Sequence, residues 1–244
     1  MCIKVEHLSK SFTTFERKNT TFQVLRSLVT HQPLRHTLMV LQDLSCEIKK
    51  GERLALLGRN GCGKTTFLRI LTGIYDASSG TVEVRGIPRA LFKSSIGLNA
   101  HISVTDNIYL LGAIHGIKRS TVKNKIDEII TLADLANSRF SLLKKLSAGQ
   151  VQALALSVFF QADGDVMILD EALGSIDHEF IKKCDDYFRN LALSNKTTIM
   201  TSHDTSFLKK YCTSALWLDK GGVRMYGDFD KVAAEYEQSF LNHS

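Results

Sequence analysis

The stretch GRNGCGKTT, residues 58–66, is the most informative segment of this sequence. It begins with the pattern G-x-x-x-x-G-K-[ST], in which a tight glycine-rich turn leads from a strand into a helix. Backbone N–H groups of such a turn, together with the helix N-terminus that follows, form a cradle for phosphate groups. The flanking sequence agrees, because 53–57 predicts a buried strand and 64–72 predicts a helix. The stretch therefore predicts a site for a nucleoside triphosphate.

The residues of this loop have expected roles in binding Mg·ATP. The ammonium group of Lys64 is expected to reach the β- and γ-phosphates, and the Thr65 hydroxyl is expected to bind Mg²⁺. The predicted nucleotide-binding residues of the loop are Gly58, Arg59, Asn60, Gly61, Cys62, Gly63, Lys64, Thr65 and Thr66. A chance glycine-rich turn is the alternative, and the strand and helix predicted on either side argue against it.

An apolar strand that ends in two acids, VMILDE at residues 166–171, is the second candidate element. Asp170 is expected to hold Mg²⁺ through water, and Glu171 is expected to orient or deprotonate the attacking water. Apolar strands that end in acids are common. This element therefore indicates catalysis only in combination with the phosphate-binding loop.

The segment LSAGQ, residues 146–150, is the third candidate element. It precedes an apolar helical run and places a serine hydroxyl and exposed N–H groups at the start of a helix. Such a helix start can bind an anion, and an ordinary N-cap is the alternative interpretation. The segment alone does not distinguish an anion-binding site from an ordinary N-cap.

Length, composition and charge limit the class of protein. The chain has 244 residues, 44% of them apolar and 23% charged, which is ordinary for a globular protein with a large core. No stretch approaches the ~20 apolar residues that cross a bilayer, and charged residues near the N-terminus argue against a secretory signal. Five scattered cysteines without a metal-binding spacing indicate free thiols, so we expect a cytosolic protein. A net charge of +6 permits a nucleic-acid or anionic-membrane partner without requiring one.

The order of the predicted elements indicates an α/β fold with a mostly parallel sheet. Strands are predicted at 3–8, 44–48, 53–57, 81–85, 166–169, 197–201 and 215–218, and a helix is predicted over 179–193. Residues from about 95 to 160 have a helical pattern and predict a helical subdomain inserted into the sheet core. Residues 13–40 are irregular, and we interpret them as a loop and a short amphipathic helix. We expect one domain over residues 1–244.

Four segments follow one another as they do in the ATP-binding cassette of ABC transporters, a class of P-loop NTPase. They are the phosphate-binding loop, LSAGQ, VMILDE and the segment TSHD at 201–204. The resemblance covers residues from about 3 to 235. It excludes kinase-like and GTPase-like P-loop proteins, which lack an LSxGQ segment.

The resemblance implies a nucleotide site shared between two copies of the chain. Ser147, Gly149 and Gln150 would bind the γ-phosphate of ATP held by the other copy, so that a homodimer encloses two nucleotides head to tail. His203 would contact the γ-phosphate and help to position the attacking water. Residues 174–177 lie where the family has a loop that contacts the dimer partner.

Two further family features are less closely matched by this sequence. An aromatic residue from the N-terminal region usually stacks on adenine; Phe12 is the best candidate and Phe15 the second, and either residue could equally be packing. The family usually has a glutamine before the helical subdomain that links Mg²⁺ to the transport partner. Here Asn99 is the nearest substitute, with a side chain one methylene shorter.

Several segments resemble the polysaccharide-export cassettes in particular. They are the loop at 96–108, the long N-terminal insertion, the segment at 170–184 and ALWLDKG at 215–221. Those exporters carry capsule, O-antigen or teichoic-acid chains built on lipid carriers. Some of them add a C-terminal sugar-binding domain, which we do not expect here because the sequence ends at Ser244.

The resemblance thus implies an ATPase subunit that works with a separate integral membrane permease. The complex would carry lipid-linked polysaccharide, and the subunit would lie at the cytoplasmic face of the inner (plasma) membrane. A cassette for another cargo, such as a small molecule, lipid or peptide, is one alternative. A soluble ABC ATPase acting on ribosomes or nucleic acid is another. Such proteins usually carry two cassettes or a long coiled-coil insertion, so we expect no nucleic-acid partner.

Overall fold

The computed structural model describes residues 2–15, 35–92, 97–172 and 178–241. The strands are β1 (Ile3–Phe15), β2 (Arg35–Ile48), β3 (Arg53–Leu57), β4 (Ser79–Val84), β5 (Pro88–Phe92), β6 (Val166–Asp170), β7 (Thr197–Thr201), β8 (Ser214–Asp219) and β9 (Gly222–Asp228). The helices are α1 (Lys64–Leu71), α2 (Val104–Ile114), α3 (Arg119–Leu132), α4 (Ala148–Phe159), α5 (His178–Lys183), α6 (Asp185–Leu193), α7 (Thr205–Tyr211) and α8 (Phe229–Leu241).

A six-stranded sheet in the order β5-β6-β7-β3-β8-β9 forms the centre of the fold. The neighbouring strands β5, β6, β7, β3 and β8 pair in parallel, and β9 pairs with β8 in the antiparallel direction. Strand β6, with the sequence VMILD, is buried along its whole length, as expected for a parallel sheet covered on both faces. The segments that follow β3, β6 and β7 therefore meet at one edge of the sheet. The predicted α/β fold with a mostly parallel sheet is confirmed.

A second, antiparallel sheet of three strands in the order β2-β1-β4 corrects the interpretation of residues 13–40. Residues 13–15 continue β1 and residues 35–40 begin β2, so the expected loop and helix are wrong at both flanks. The strand pattern is weak there because this part of the ribbon is exposed: Leu38 and Met39 are 61% and 47% accessible. The middle of the predicted insertion, 16–34, lies outside the described residues.

The helical pattern between 95 and 160 corresponds to helices α2, α3 and α4, which pack against one another. Their facing side chains include Ile108, Ile129 and Leu154, all fully buried. The boundaries of this predicted subdomain, about 95–160, stay a prediction. Across the described ranges, no helix combines the length and the apolar character needed to cross a membrane.

The remaining elements differ from expectation in number and length. The single helix predicted over 179–193 is two helices, α5 and α6, with Cys184 between them. Strands β5 and β9 and helices α7 and α8 were not predicted. The five cysteines, Cys2, Cys46, Cys62, Cys184 and Cys212, are all buried and unpaired, as the sequence indicated.

Candidate nucleotide-binding site

The phosphate-binding loop leaves the end of β3 and enters α1 through backbone conformations that favour glycine. Gly58, Gly61 and Gly63 have φ angles of 148°, 80° and 108°. A Cβ atom on Gly58 would lie 2.5 Å from the carbonyl oxygen of Leu218, so a side chain has no space at this position. Gly63 is the N-cap of α1. The first-turn N–H groups of α1 thus face the concave side of the loop, which is the geometry of an anion site.

Lys64 folds back over the loop that precedes it. Its Nζ atom donates hydrogen bonds to the carbonyl oxygens of Gly58 and Arg59, at 2.6 and 3.2 Å. These bonds hold the ammonium group at the mouth of the loop. A phosphate group would compete with the two carbonyl oxygens for this cation.

Asp170 ends β6 as a buried carboxylate, 3% accessible, whose two oxygens are both hydrogen-bonded. Thr65 Oγ1 donates to Oδ2 at 2.7 Å, and Thr201 Oγ1 donates to Oδ1 at 2.7 Å. Burying an ionised carboxylate is costly unless such donors are present. Thr201 was not predicted as a site residue. Its position opposite Asp170 in the parallel register of β6 and β7 is the feature that identifies it.

Mg²⁺ prefers oxygen ligands and usually binds through one or two protein groups together with phosphate oxygens and water. The hydroxyl group of Thr65 and the carboxylate of Asp170 lie next to each other beside the phosphate-binding loop. This donor set fits a magnesium ion that arrives with the nucleotide. The described residues include no cluster of three or more His, Cys, Asp or Glu that could hold a metal by itself.

Glu171 follows β6 in a left-handed backbone conformation, with φ at 50°. Its N–H group donates to Thr201, to the carbonyl oxygen at 3.2 Å and to Oγ1 at 2.8 Å. Its carbonyl oxygen accepts a hydrogen bond from Nε2 of Gln152 at 3.3 Å. One carboxylate oxygen lies 3.2 Å from Nε2 of His203. The structure therefore brings the two predicted catalytic side chains together.

A cavity of about 210 Å³ lies between the phosphate-binding loop and His203. It is lined by Leu56, Leu57, Gly58, Lys64, Glu171, Ser202, His203, Thr205, Tyr236, Glu237 and Phe240. The last three residues come from α8 and are not among the predicted site residues. The Phe240 ring lies 5.0 Å from the guanidinium carbon of Arg59, so α8 also contacts the loop from outside.

The LSAGQ segment begins α4 at an exposed surface. Ser147 is the N-cap and forms a capping box with Gln150: its Oγ accepts from the Gln150 N–H at 3.2 Å, and its own N–H donates to Oε1 of Gln150 at 3.0 Å. Gly149, between them, is half-buried. None of these residues is among the described residues that line the cavity of the same chain. The segment thus lies apart from that cavity.

Phe12 lies in β1 and packs against Tyr75. The two rings meet edge to face with centroids 5.5 Å apart, and Nζ of Lys10 lies 5.0 Å from the Phe12 centroid. Phe15, the second candidate for adenine stacking, ends β1, and its side chain is outside the described part of the structure. The role of Phe12 in adenine binding stays a prediction.

Asn99 lies at the entrance to the helical region, where it forms a local network. Its Oδ1 atom accepts from the N–H of His101 at 2.9 Å, and its own N–H donates to Oδ1 of Asn107 at 2.8 Å. The side-chain oxygen thus already has a donor within its own loop, and its binding to Mg²⁺ stays a prediction. The predicted dimer-contacting loop, 174–177, lies outside the described residues.

Comparison with known proteins connects this geometry to a family. A family model described as ABC transporter matches residues 41–174. The teichoic acids export ATP-binding protein TagH of Bacillus anthracis is 32% identical over 236 residues, covering 97% of this chain and 42% of that protein. The O-antigen export system ATP-binding protein RfbB of Myxococcus xanthus is 32% identical over 243 residues, covering 97% and 56%. The chain therefore spans about half the length of these two relatives.

A solved structure shares the fold. It is a dimeric, post-hydrolysis ATP-binding cassette bound to ADP and phosphate, with a TM-score of 0.73 and 17% identity. The match covers 93% of this chain and 98% of the other. The arrangement of the central sheet, the phosphate-binding loop and the helical region is thus that of a known nucleotide-binding fold.

Proposed function

The chain belongs to the ABC transporter family, and on that premise we propose that it binds and hydrolyses Mg·ATP as the motor subunit of an exporter. One observation carries the proposal. The Glu171 carboxylate and the His203 imidazole lie 3.2 Å apart and line the same cavity as Lys64. A general base, a polar partner and a phosphate-binding cation therefore face one space, which is what hydrolysis of a terminal phosphate requires.

In the proposed mechanism each side chain has a separate task. Lys64 exchanges its carbonyl partners for the β- and γ-phosphates. Thr65 and Asp170 would hold Mg²⁺, which would supply charge neutralisation at the phosphates when it is bound. His203 orients the attacking water, and Glu171 accepts a proton from it at its carboxylate. The water oxygen bonds to the γ-phosphorus as the bond to the bridging oxygen breaks, so ADP leaves and inorganic phosphate forms. We propose Phe12 as the ring that stacks on adenine and Asn99 as an additional metal-side contact.

A homodimer would complete each site. At the start of α4, Ser147 and Gln150 are exposed and Gly149 is half-buried, whereas the cavity beside Lys64 is lined by other segments. We propose that these three residues of one copy bind the γ-phosphate held by the second copy. ATP binding then closes the dimer, and hydrolysis releases it.

A permease would receive the movement of the helical region. A cleft of about 270 Å³ lies between β5 and the helices α2 and α4, and its lining is mostly apolar. Ile74 and Ile114 at this cleft are 53% and 48% accessible, although they are large apolar residues. A cytoplasmic segment of an integral membrane permease would bury them. The subunit would then work at the cytoplasmic face of the inner (plasma) membrane.

The proposed cargo is lipid-linked cell-surface polysaccharide. The support comes from relatives named for export of teichoic acids and of O-antigen, which match this chain over 97% of its length. The resemblance of the sequence at 96–108 to such exporters points in the same direction.

Replacing Glu171 with glutamine tests the proposed activity. We expect phosphate release to fall by about 100-fold or more, since general base catalysis typically contributes this much. ATP binding should be retained, and ATP should trap the variant as a dimer in size-exclusion chromatography. Glu128→Gln is the matched control, because Glu128 is an exposed residue of α3 paired with Lys125. Hydrolysis at the wild-type rate in Glu171→Gln would exclude the catalytic assignment.

The same variant tests the cargo in cells. In cells whose only copy of the protein carries Glu171→Gln, lipid-linked polymer should accumulate inside the cell, and surface polysaccharide should be lost. Normal surface polysaccharide together with loss of ATP hydrolysis would contradict the cargo and leave the ATPase assignment in place.

A further inference from the structure

A hydrogen bond connects the helix that begins with the LSAGQ segment to the main chain of Glu171. Gln152 lies in the first half of α4, is half-buried, and donates from Nε2 to the carbonyl oxygen of Glu171 at 3.3 Å. Glu171 belongs to the site of this copy, whereas Ser147 at the start of the same helix is proposed to serve the site of the other copy. The bond thus joins parts of two different nucleotide sites.

The backbone of Glu171 needs such support. A left-handed conformation, here with φ at 50°, is unfavourable for a residue with a Cβ atom and persists only where neighbouring groups hold it. Thr201 holds the peptide group before Glu171 by accepting from its N–H, and Gln152 holds the one after it by donating to its carbonyl. The direction of the Glu171 side chain is set by both anchors. Only one of them, Gln152, lies on α4.

We infer that Gln152 is a positioning residue that couples the two nucleotide sites of the dimer, an inference that rests on the proposed function. Gln152 lies five positions after Ser147, which corresponds to about 7.5 Å along a rigid helix. When Ser147 engages the γ-phosphate held by the second copy, any shift of α4 is carried to Gln152 and so to Glu171. The carboxylate of one site is thereby aimed in response to the nucleotide in the other.

Two substitutions test the bond without a large change in side-chain size. Gln152→Met keeps the length and removes the donor; Gln152→Glu keeps the shape and replaces the donor with an acceptor that repels the carbonyl oxygen. Gln161→Met is the matched control, since Gln161 lies just beyond α4 and its Nε2 atom contacts Glu128 at 3.4 Å, away from the site. Each variant is compared with the wild type in ATP titrations of steady-state hydrolysis, in equilibrium ATP binding and in thermal unfolding.

We expect kcat to fall by about 10- to 100-fold in both Gln152 variants, the loss typical when a supporting contact is removed from a reacting group. Equilibrium ATP binding should stay within about twofold of wild type, and the Hill coefficient of hydrolysis should fall to about 1, the value for independent sites. A purely structural role would lower the unfolding temperature and leave the Hill coefficient unchanged, and that result would overturn the inference.

The result also separates this inference from the proposed function. If the wild-type chain hydrolyses ATP cooperatively and Gln152→Met does so equally, the coupling role is wrong and the ATPase stands. If the wild-type chain does not hydrolyse ATP, the proposed function itself fails, and the inference fails with it. If Gln152→Met does not fold, Gln152→Glu supplies the same comparison.

Discussion

Replacing Thr201 with valine should destabilise the protein and slow ATP hydrolysis, because one hydroxyl group serves both acids of the site. Thr201 Oγ1 donates to the buried Asp170 carboxylate at 2.7 Å and accepts from the Glu171 N–H at 2.8 Å. Valine has nearly the same shape as threonine, so it leaves no cavity. The substitution therefore measures the hydroxyl group alone.

The magnitude follows from burial. Asp170 and Thr201 are only 3% and 4% accessible, so water does not readily replace the lost donor. A hydrogen bond to a charged group contributes about 1.5–3 kcal/mol, and a buried partner left without one adds to the loss. We expect a loss of about 3 kcal/mol in the free energy of unfolding. In a chain of this size that lowers the unfolding temperature by about 6–12 °C.

The same strand provides a matched control. Thr198 is fully buried in β7, and within the described part of the chain its hydroxyl group has no hydrogen-bond partner. Thr198→Val removes an unsatisfied polar group and should be neutral, or stabilising by about 1 kcal/mol. Both variants are measured by denaturant and thermal unfolding without nucleotide, and then by phosphate release. Equal losses of stability in the two variants would refute the assignment of Thr201 as the anchor of the acid pair.

Two further predictions concern adenine binding and pH. Phe12→Ala should weaken ATP binding by about 10-fold, as expected for the loss of one stacked ring, whereas Phe15→Ala should leave ATP binding unchanged. Equilibrium titration with a fluorescent ATP analogue measures the affinity of both variants. A loss of affinity in Phe15→Ala but not in Phe12→Ala would assign the stacking role to Phe15. Burial, and then the charge of Arg89, lower the pKa of His115 to about 4 from the usual 6.5. The unfolded chain therefore binds this proton more readily, so stability that is present above pH 6.5 is lost as the pH falls towards 4, by about 2 kcal/mol. His115→Phe should remove that part of the pH dependence in unfolding curves at pH 7 and pH 4.5, and an unchanged dependence would contradict it.

The parts of the site that the sequence predicts correctly depend on local chemistry. The phosphate-binding loop requires glycine at 58 and 63 because of backbone conformation and close neighbouring atoms. These requirements appear in the sequence as a short, recognisable motif. The apolar strand that ends in Asp170 and Glu171 is equally local. The proximity of Glu171 to His203 follows from parallel strands whose carboxyl ends meet, which the order of the elements already indicates.

The parts that the sequence does not predict depend on tertiary packing. Tyr236 and Phe240 reach the cavity because α8, which follows β9, packs against the sheet. No sequence motif predicts this packing. Gln152 resembles any polar residue of a helix until its contact with the Glu171 carbonyl is known. The strands predicted at 3–8 and 44–48 are parts of β1 and β2, but the outer parts of both strands were missed for another reason: their paired, exposed ribbon needs no alternation of apolar and polar residues.

The burial of the cysteines makes the chain suitable for site-specific labelling. All five thiols are buried, Cys46 and Cys62 at 8% accessibility being the most exposed, and burial raises the pKa of Cys62 above its usual range. Maleimide dyes react with exposed thiolates, so a single cysteine introduced on the surface should be labelled much faster than the buried native thiols. Cys62 belongs to the phosphate-binding loop, and its slow alkylation would report each opening of that loop. Protection of Cys62 by added nucleotide would then follow occupancy of the site in solution, without a reporter group on the ligand.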